Sequence, residues 1–141
     1  MMRVLSLALL AFSTETVSEG MPGVDNPQRA HVNYILNCQG CHGPEGSGSA
    51  DGDVPRMKDF LFNFLNFCLW REFLIRVPGV ASAPLSDTAI AELLNWTLHT
   101  QSPDQIPENF LPYSESDISQ WRRKTLGDVA HERERLIIRM R

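Results

Sequence analysis

Apolar residues recur every three or four positions over most of the chain, which predicts helices. A first helix begins at Asn26 and Pro27, with proline in its first turn, and carries Ala30, Tyr34 and Cys38 at helical spacing. No segment has the clean alternation of a strand, and no internal repeat is visible. The sequence therefore predicts an all-α fold.

Three further helices follow in the second half of the chain. Ser86 is a favourable N-cap for residues 87–100, and Ser114 with Asp117 resembles a capping box. A last helix is predicted from about Asp128. The predicted buried positions of these helices are Ile90, Leu93, Leu94, Leu98, Val129, Leu136, Ile137 and Met140.

Residues 58–76 hold five of the seven phenylalanines. Phe60, Phe64 and Phe67 lie at i, i+4 and i+7, which predicts a helix, while interspersed polar residues exclude a membrane span. A core helix is the favoured interpretation over a wall dedicated to a ligand. Cys68, among these aromatic residues, is interpreted as a small buried hydrophobic residue.

The chain has 141 residues, enough for one domain, and a formal net charge of -4. The acidic majority of the chain argues against nucleic-acid binding. Residues 122–141 are locally basic, with seven Lys or Arg against three Asp or Glu. This stretch is interpreted as a solvated helix face, with contact to an acidic redox partner or a membrane surface as the alternative.

The first residues form an apolar run after Arg3 that ends in Ala11-Phe12-Ser13, a pattern typical of a cleaved signal peptide. Residues 1–13 are therefore predicted to be a signal peptide, and residues 14–25 a flexible leader. This predicts export to the periplasm.

Residues 38–42 read Cys-Gln-Gly-Cys-His. C-x-x-C-H is the attachment signature of a c-type haem, in which two thiols form thioether bonds and the histidine becomes an axial iron ligand. If the first helix continues through the motif, Cys38, Cys41 and His42 project from one face. The motif therefore predicts one covalent haem c, with its iron, bound by these three residues.

Two other chemistries use similar residues. A thioredoxin-like dithiol site has its first cysteine at a helix N-terminus after a strand, whereas this motif ends a predicted helix. A zinc site needs a second pair of ligands, and the remaining candidates are scattered singly along the chain. Both alternatives are disfavoured but stay open.

The chain resembles the class I monohaem cytochromes c. The resemblance rests on a helix, "CQGCH", a glycine-rich loop, "VP" at residues 54–55, and a helix carrying "LNW", in that order over residues 27–100. It implies a cytochrome c domain over residues 26–100 and a C-terminal helical extension over residues 101–141. It also implies that Tyr34 packs near Trp96, and that the Pro55 carbonyl accepts a hydrogen bond from His42.

The resemblance fails at the second axial ligand. The family usually has a methionine before its last core helix, but residues 76–87 contain no Met, His or Lys. Met57 is therefore the candidate second iron ligand, with an open or water-bound site and His99 as alternatives. Otherwise His31, His99 and His131 are interpreted as residues on helix surfaces.

These features imply a one-electron carrier rather than an enzyme. The predicted partners are a dehydrogenase-type donor and a terminal acceptor, with membrane contact not required. One alternative is a haem protein whose open sixth site binds a small ligand. The other is a haem subunit of a larger oxidoreductase complex.

Overall fold

The computed structural model describes residues 20–65 and 68–139, without the side chains of residue 64 and residues 68–70. Several predictions fall outside these residues: the signal peptide (1–13), the first part of the leader (14–19), Phe67, Met140, and the side chains of Phe64 and Cys68. Within the described residues the regular structure is helical and contains no strand. The predicted all-α class is confirmed.

The described chain forms α-helices of very different lengths, joined by connections that range from a single residue to the long loop 43–60. They are α1 (Pro27–Asn37), α2 (Gln39–His42), α3 (Cys68–Arg76), α4 (Pro78–Ala81), α5 (Asp87–Gln101), α6 (Glu115–Trp121) and α7 (Val129–Ile138), with 3-10 turns at Leu61–Phe64 and Pro103–Gln105.

Side-chain caps begin four of the α-helices: α1, α5, α6 and α7. Asn26, Ser86 and Asp128 each accept a hydrogen bond from the backbone N–H three residues further on. Ser114 and Asp117 form a reciprocal capping box at the start of α6. These contacts satisfy N–H groups that have no partner inside the helix, and they lie where the sequence places the helix starts.

Helix α5 is the centre of the fold and is buried on nearly all sides. It packs against α1 through a cluster that contains Tyr34 and Trp96. On other faces it packs against a larger cluster built from the segment 61–83 and from the C-terminal helices, which contribute Ile118 and Leu136. The residues after Gln101 therefore share one core with the residues before it.

Polar side chains of α5 hold the segments that cross it. Asn95, fully buried, donates to the carbonyl oxygens of Gly23 and Tyr113 and accepts from the Tyr113 N–H. Glu92 accepts hydrogen bonds from the N–H groups of Asp25 and Asn26. Residues 23–25, at the end of the predicted leader, are thus attached to the helical core.

The aromatic segment does not form the single helix that its periodicity predicts. Residues 58–60 form a turn, a 3-10 helix follows, and the α-helix begins only at Cys68. Asp59 has a φ of 57°, in the left-handed region, and its N–H donates to the carbonyl of Gln101. This contact between distant residues holds the backbone out of helical geometry at the predicted helix start.

Among the helices described, none combines the length and the apolar character needed to cross a bilayer.

Candidate functional site

The C-x-x-C-H motif forms a helical turn of its own, separate from α1. Helix α1 ends at Asn37, because Cys38 leaves helical geometry with φ −125° and ψ −43°. The N–H groups of Cys41 and His42 then donate to the Cys38 carbonyl, at 3.2 and 3.0 Å. The predicted continuous helix through the motif is therefore interrupted at Cys38.

The imidazole of His42 is held by a backbone carbonyl from the following loop. Its Nδ1 lies 3.2 Å from the carbonyl oxygen of Pro55, the contact that the resemblance implies. Because a carbonyl can only accept, Nδ1 carries the proton and Nε2 presents a lone pair. Burial lowers the pKa of His42, and the hydrogen bond to Pro55 opposes this only in part. The neutral form, the one that binds metals, is favoured.

The glycine-rich loop folds back on itself and so brings Pro55 to His42. The Gly48 N–H donates to the His42 carbonyl at 3.0 Å, and the Met57 N–H donates to the Gly46 carbonyl at 2.8 Å. Gly48 has a φ of 74°, and a Cβ there would lie 2.4 Å from the backbone oxygen of Val54. Only glycine fits this crossing of two backbone segments.

Helix α1 is connected to the turn after His42 through Tyr34. The fully buried Tyr34 hydroxyl donates to the Gly43 carbonyl at 2.6 Å. The Tyr34 ring lies 5.4 Å from the Trp96 ring, centroid to centroid, which agrees with the packing implied by the resemblance. The motif is thereby fixed to both α1 and α5.

An apolar cavity opens beside the motif. Its empty volume is about 1070 Å³, a figure that includes space open to solvent. Cys38 and His42 lie on its wall, next to Pro55 and Met57. Most of the remaining wall is aliphatic or aromatic: Leu61, Phe73, Leu74, Val77, Val80, Ala83, Ile90, Leu93, Leu94, Leu98 and Val129.

The other predicted site residues differ in how they relate to this cavity. Met57 is half-buried on its wall, together with His42. Cys41 is exposed and is not part of the wall, so only Cys38 and His42 of the three motif residues line the cavity. The segment 77–83, where the family usually carries its methionine, contributes only aliphatic side chains and Gly79.

His99 is not the surface residue that the sequence suggested. It is 8% exposed and packs edge-on against Phe110, and its Nε2 has no hydrogen-bond partner among the described residues. Burial lowers its pKa, and the Pro22 carbonyl opposes this. His99 is not part of the cavity wall, whereas His31 and His131 are exposed as expected.

The properties of Cys38 bear on the two alternative chemistries. Burial, and next the neighbouring Cys41, raise the pKa of the Cys38 thiol to about 11. Dithiol oxidoreductases need the opposite, a lowered thiol pKa. For zinc, no group of three or more His, Cys, Asp or Glu side chains suited to a metal ion occurs in the part of the chain that the structure describes.

Sequence reasoning missed the contribution of α7 to this site. Val129 and Arg133 line the cavity, although they lie almost ninety residues after the motif. The only local signal is their i, i+4 spacing on a helix with Leu136 buried.

No family model, no curated protein and no solved structure matches this chain.

Proposed function

We propose that the chain is an exported monohaem c-type cytochrome that carries single electrons. The observation that supports this best is the placement of Cys38 and His42 on one apolar cavity, with the His42 ring oriented by the Pro55 carbonyl. When bound, the haem supplies an iron that takes up and releases one electron. The donor types suit this group, with two thiols for covalent attachment and one neutral imidazole for the iron; the Cys38 thiol and the imidazole line the cavity, and Cys41 lies outside its wall.

Each residue of the site has a separate task in this proposal. The thiols of Cys38 and Cys41 would hold the haem by thioether bonds, and Nε2 of His42 would bind the iron. The Pro55 carbonyl fixes the imidazole proton on Nδ1 and increases the basicity of the ring. The apolar wall excludes water and favours the less charged, reduced centre.

Electron exchange needs a partner that can come close to the cofactor. Cys41 is exposed, so the attachment side of the motif is accessible from solvent. A dehydrogenase-type donor and a terminal acceptor are the proposed partners, in the periplasm. This assigns the chain to electron transfer rather than to catalysis.

A second candidate is a haem protein whose sixth iron position binds a small ligand. It is favoured by the aliphatic segment 77–83, which offers the iron no ligand. Met57 is the thioether on the described cavity wall and would occupy the position in an electron carrier. Rapid carbon monoxide binding by the reduced protein would favour this second candidate; a sulfur-to-iron absorption band lost in Met57→Ala would favour the first.

The attachment claim is tested by expression in a periplasm that contains the maturation machinery for c-type cytochromes. We expect the purified wild-type chain to keep its haem through denaturation, with the mass increased by one haem. Cys38→Ala combined with Cys41→Ala should lose all covalent haem, because no thiol remains in the motif. Cys68→Ala is the matched control and should keep it. A wild-type chain with the bare polypeptide mass would refute the proposal.

A further inference from the structure

The cavity beside the motif carries two positive charges and no negative one. Arg56 and Arg133 both line it, and none of the described wall residues is acidic. A cavity that is otherwise apolar and contains cations suits an occupant with an apolar body and an anionic group.

The two arginines differ in what their guanidinium groups contact. Arg56 is exposed, and its side chain donates to the carboxylate of Asp59 at 2.9 Å and to the Lys58 carbonyl at 2.9 Å. Arg133 is half-buried, and among the described residues it makes no ion pair and no hydrogen bond. Its guanidinium carbon lies over the ring of Phe60, 5.4 Å from the ring centroid. The charge of Arg133 is therefore not compensated within the described structure.

Helix α7 fixes Arg133 in this position. Val129 lies one turn before Arg133 and lines the same cavity, and Leu136 lies one turn after it, 7% exposed in the main core. These three residues share one face of α7, which packs inward. By contrast, Arg135 on the same helix forms an ion pair with Glu132 at 2.8 Å.

We infer that Arg133 binds a carboxylate of the occupant of this cavity. This inference rests on the proposed function, in which the occupant is haem, a flat apolar ring that carries two carboxylate side chains. A partly desolvated guanidinium is costly without an anion, and it pairs with a carboxylate through two parallel charge-assisted hydrogen bonds. The C-terminal helix thereby becomes part of the cofactor site.

The test is the reduction potential of the matured, full-length protein. Arg133→Met removes a positive charge that favours the reduced centre, so we expect the potential to fall by roughly 30–60 mV, a three- to tenfold change in the one-electron equilibrium constant. Arg133→Lys keeps the charge and should recover most of the difference. Arg135→Met, whose arginine is paired with Glu132, is the matched control and should stay at the wild-type potential.

A second measurement uses the wild-type chain and does not depend on a variant that has to acquire covalent haem. The full-length chain without haem is titrated with ferric haem and with its dimethyl ester, in which both carboxylates are blocked. We expect at least about tenfold tighter binding of the free acid, since the ester cannot pair with Arg133. Equal affinities for haem and for its dimethyl ester would overturn the inference. Equal reduction potentials of Arg133→Met and wild type would also overturn it. If the wild-type chain carries no covalent haem after expression with the maturation machinery, the proposed function itself is refuted.

Discussion

Glu92 is a carboxylate that is almost inaccessible to water and yet remains ionised. Its side chain is 6% exposed and accepts hydrogen bonds from both Nε and Nη2 of Arg29, each at 2.8 Å, besides the N–H groups of Asp25 and Asn26. Burial alone would raise the pKa of Glu92. The hydrogen bonds from Arg29 and Asn26, with the charge of Arg29, outweigh burial and hold this pKa below its ordinary value of 4.5.

The lowered pKa makes part of the stability dependent on pH. A carboxyl group with a depressed folded-state pKa contributes stability that is fully present above about pH 4.5 and is lost as pH falls through the folded pKa. At pH 7, Glu92→Gln should therefore have a free energy of unfolding about 2 kcal/mol below that of wild type and should unfold at a lower urea concentration. Below pH 4.5 it should lose less stability than wild type does.

Urea unfolding followed by circular dichroism at pH 7 and at pH 3.5 measures both effects. Glu45→Gln is the matched control, because Glu45 pairs with Lys58 on the exposed surface, and it should stay close to wild type. An unchanged difference between Glu92→Gln and wild type at the two pH values would contradict this interpretation.

Single residues were predictable from sequence where their role depends on neighbours in the chain. The N-cap at Asn26 and the helical spacing after it predict α1, which ends next to Cys38, but they do not predict that the motif forms a turn of its own. The burial of His99 and the place of Arg133 in the cavity wall depend on segments far away in sequence. His99 has no local pattern that distinguishes it from a surface residue, and Arg133 has only its i, i+4 spacing from Val129.

At the scale of elements, capped helices were predicted well and the aromatic segment was not. The starts of α1, α5, α6 and α7 depend on short-range hydrogen bonds that the sequence displays directly. The turn at residues 58–60 instead depends on the hydrogen bond from the Asp59 N–H to the carbonyl of Gln101, forty-two positions away in the chain. Periodicity has no information about such a contact.

The link between α6 and the segment after α4 also depends on distant contacts. Arg122, at the end of α6, donates to the carbonyl oxygens of Ala81, Ala83 and Leu85 and pairs with the carboxylate of Asp87 at 2.7 Å. The sequence suggested a solvated basic face here. The structure instead shows Arg122 donating to carbonyls at the end of α4 and in the loop that follows it.

Replacing this one side chain should loosen the cavity wall. Arg122→Met removes the donor from the carbonyls of Ala81 and Leu85 and the ion-pair partner of Asp87, so we expect a loss of about 2 kcal/mol in the free energy of unfolding. Amide hydrogen exchange in residues 79–83 should become faster, because these residues depend on the arginine. Exposed Arg123 provides the control, and Arg123→Met should exchange like wild type. Wild-type exchange rates in Arg122→Met would show that Arg122 does not hold this segment.

At the scale of the whole molecule, the C-terminal region is part of the core. Ile118 is fully buried and Leu136 nearly so, in the same cluster as Phe73 and Ile90. The resemblance covers residues 27–100 and carries no information about this region, so the sequence could predict its helices but not where they pack.

Deleting residues 114–141 should therefore abolish the cooperative fold rather than trim it. Burial of a side chain such as Ile118 or Leu136 stabilises by about 1.5–3 kcal/mol, and the capped helices and Arg122 are lost as well. Together these losses approach the ~5–15 kcal/mol total stability of a typical domain. We expect no cooperative thermal transition by circular dichroism and little retained haem. Deletion of residues 139–141 alone is the control and should melt like the full chain. A cooperative transition near the wild-type temperature after the longer deletion would mean that residues 20–113 build the core by themselves.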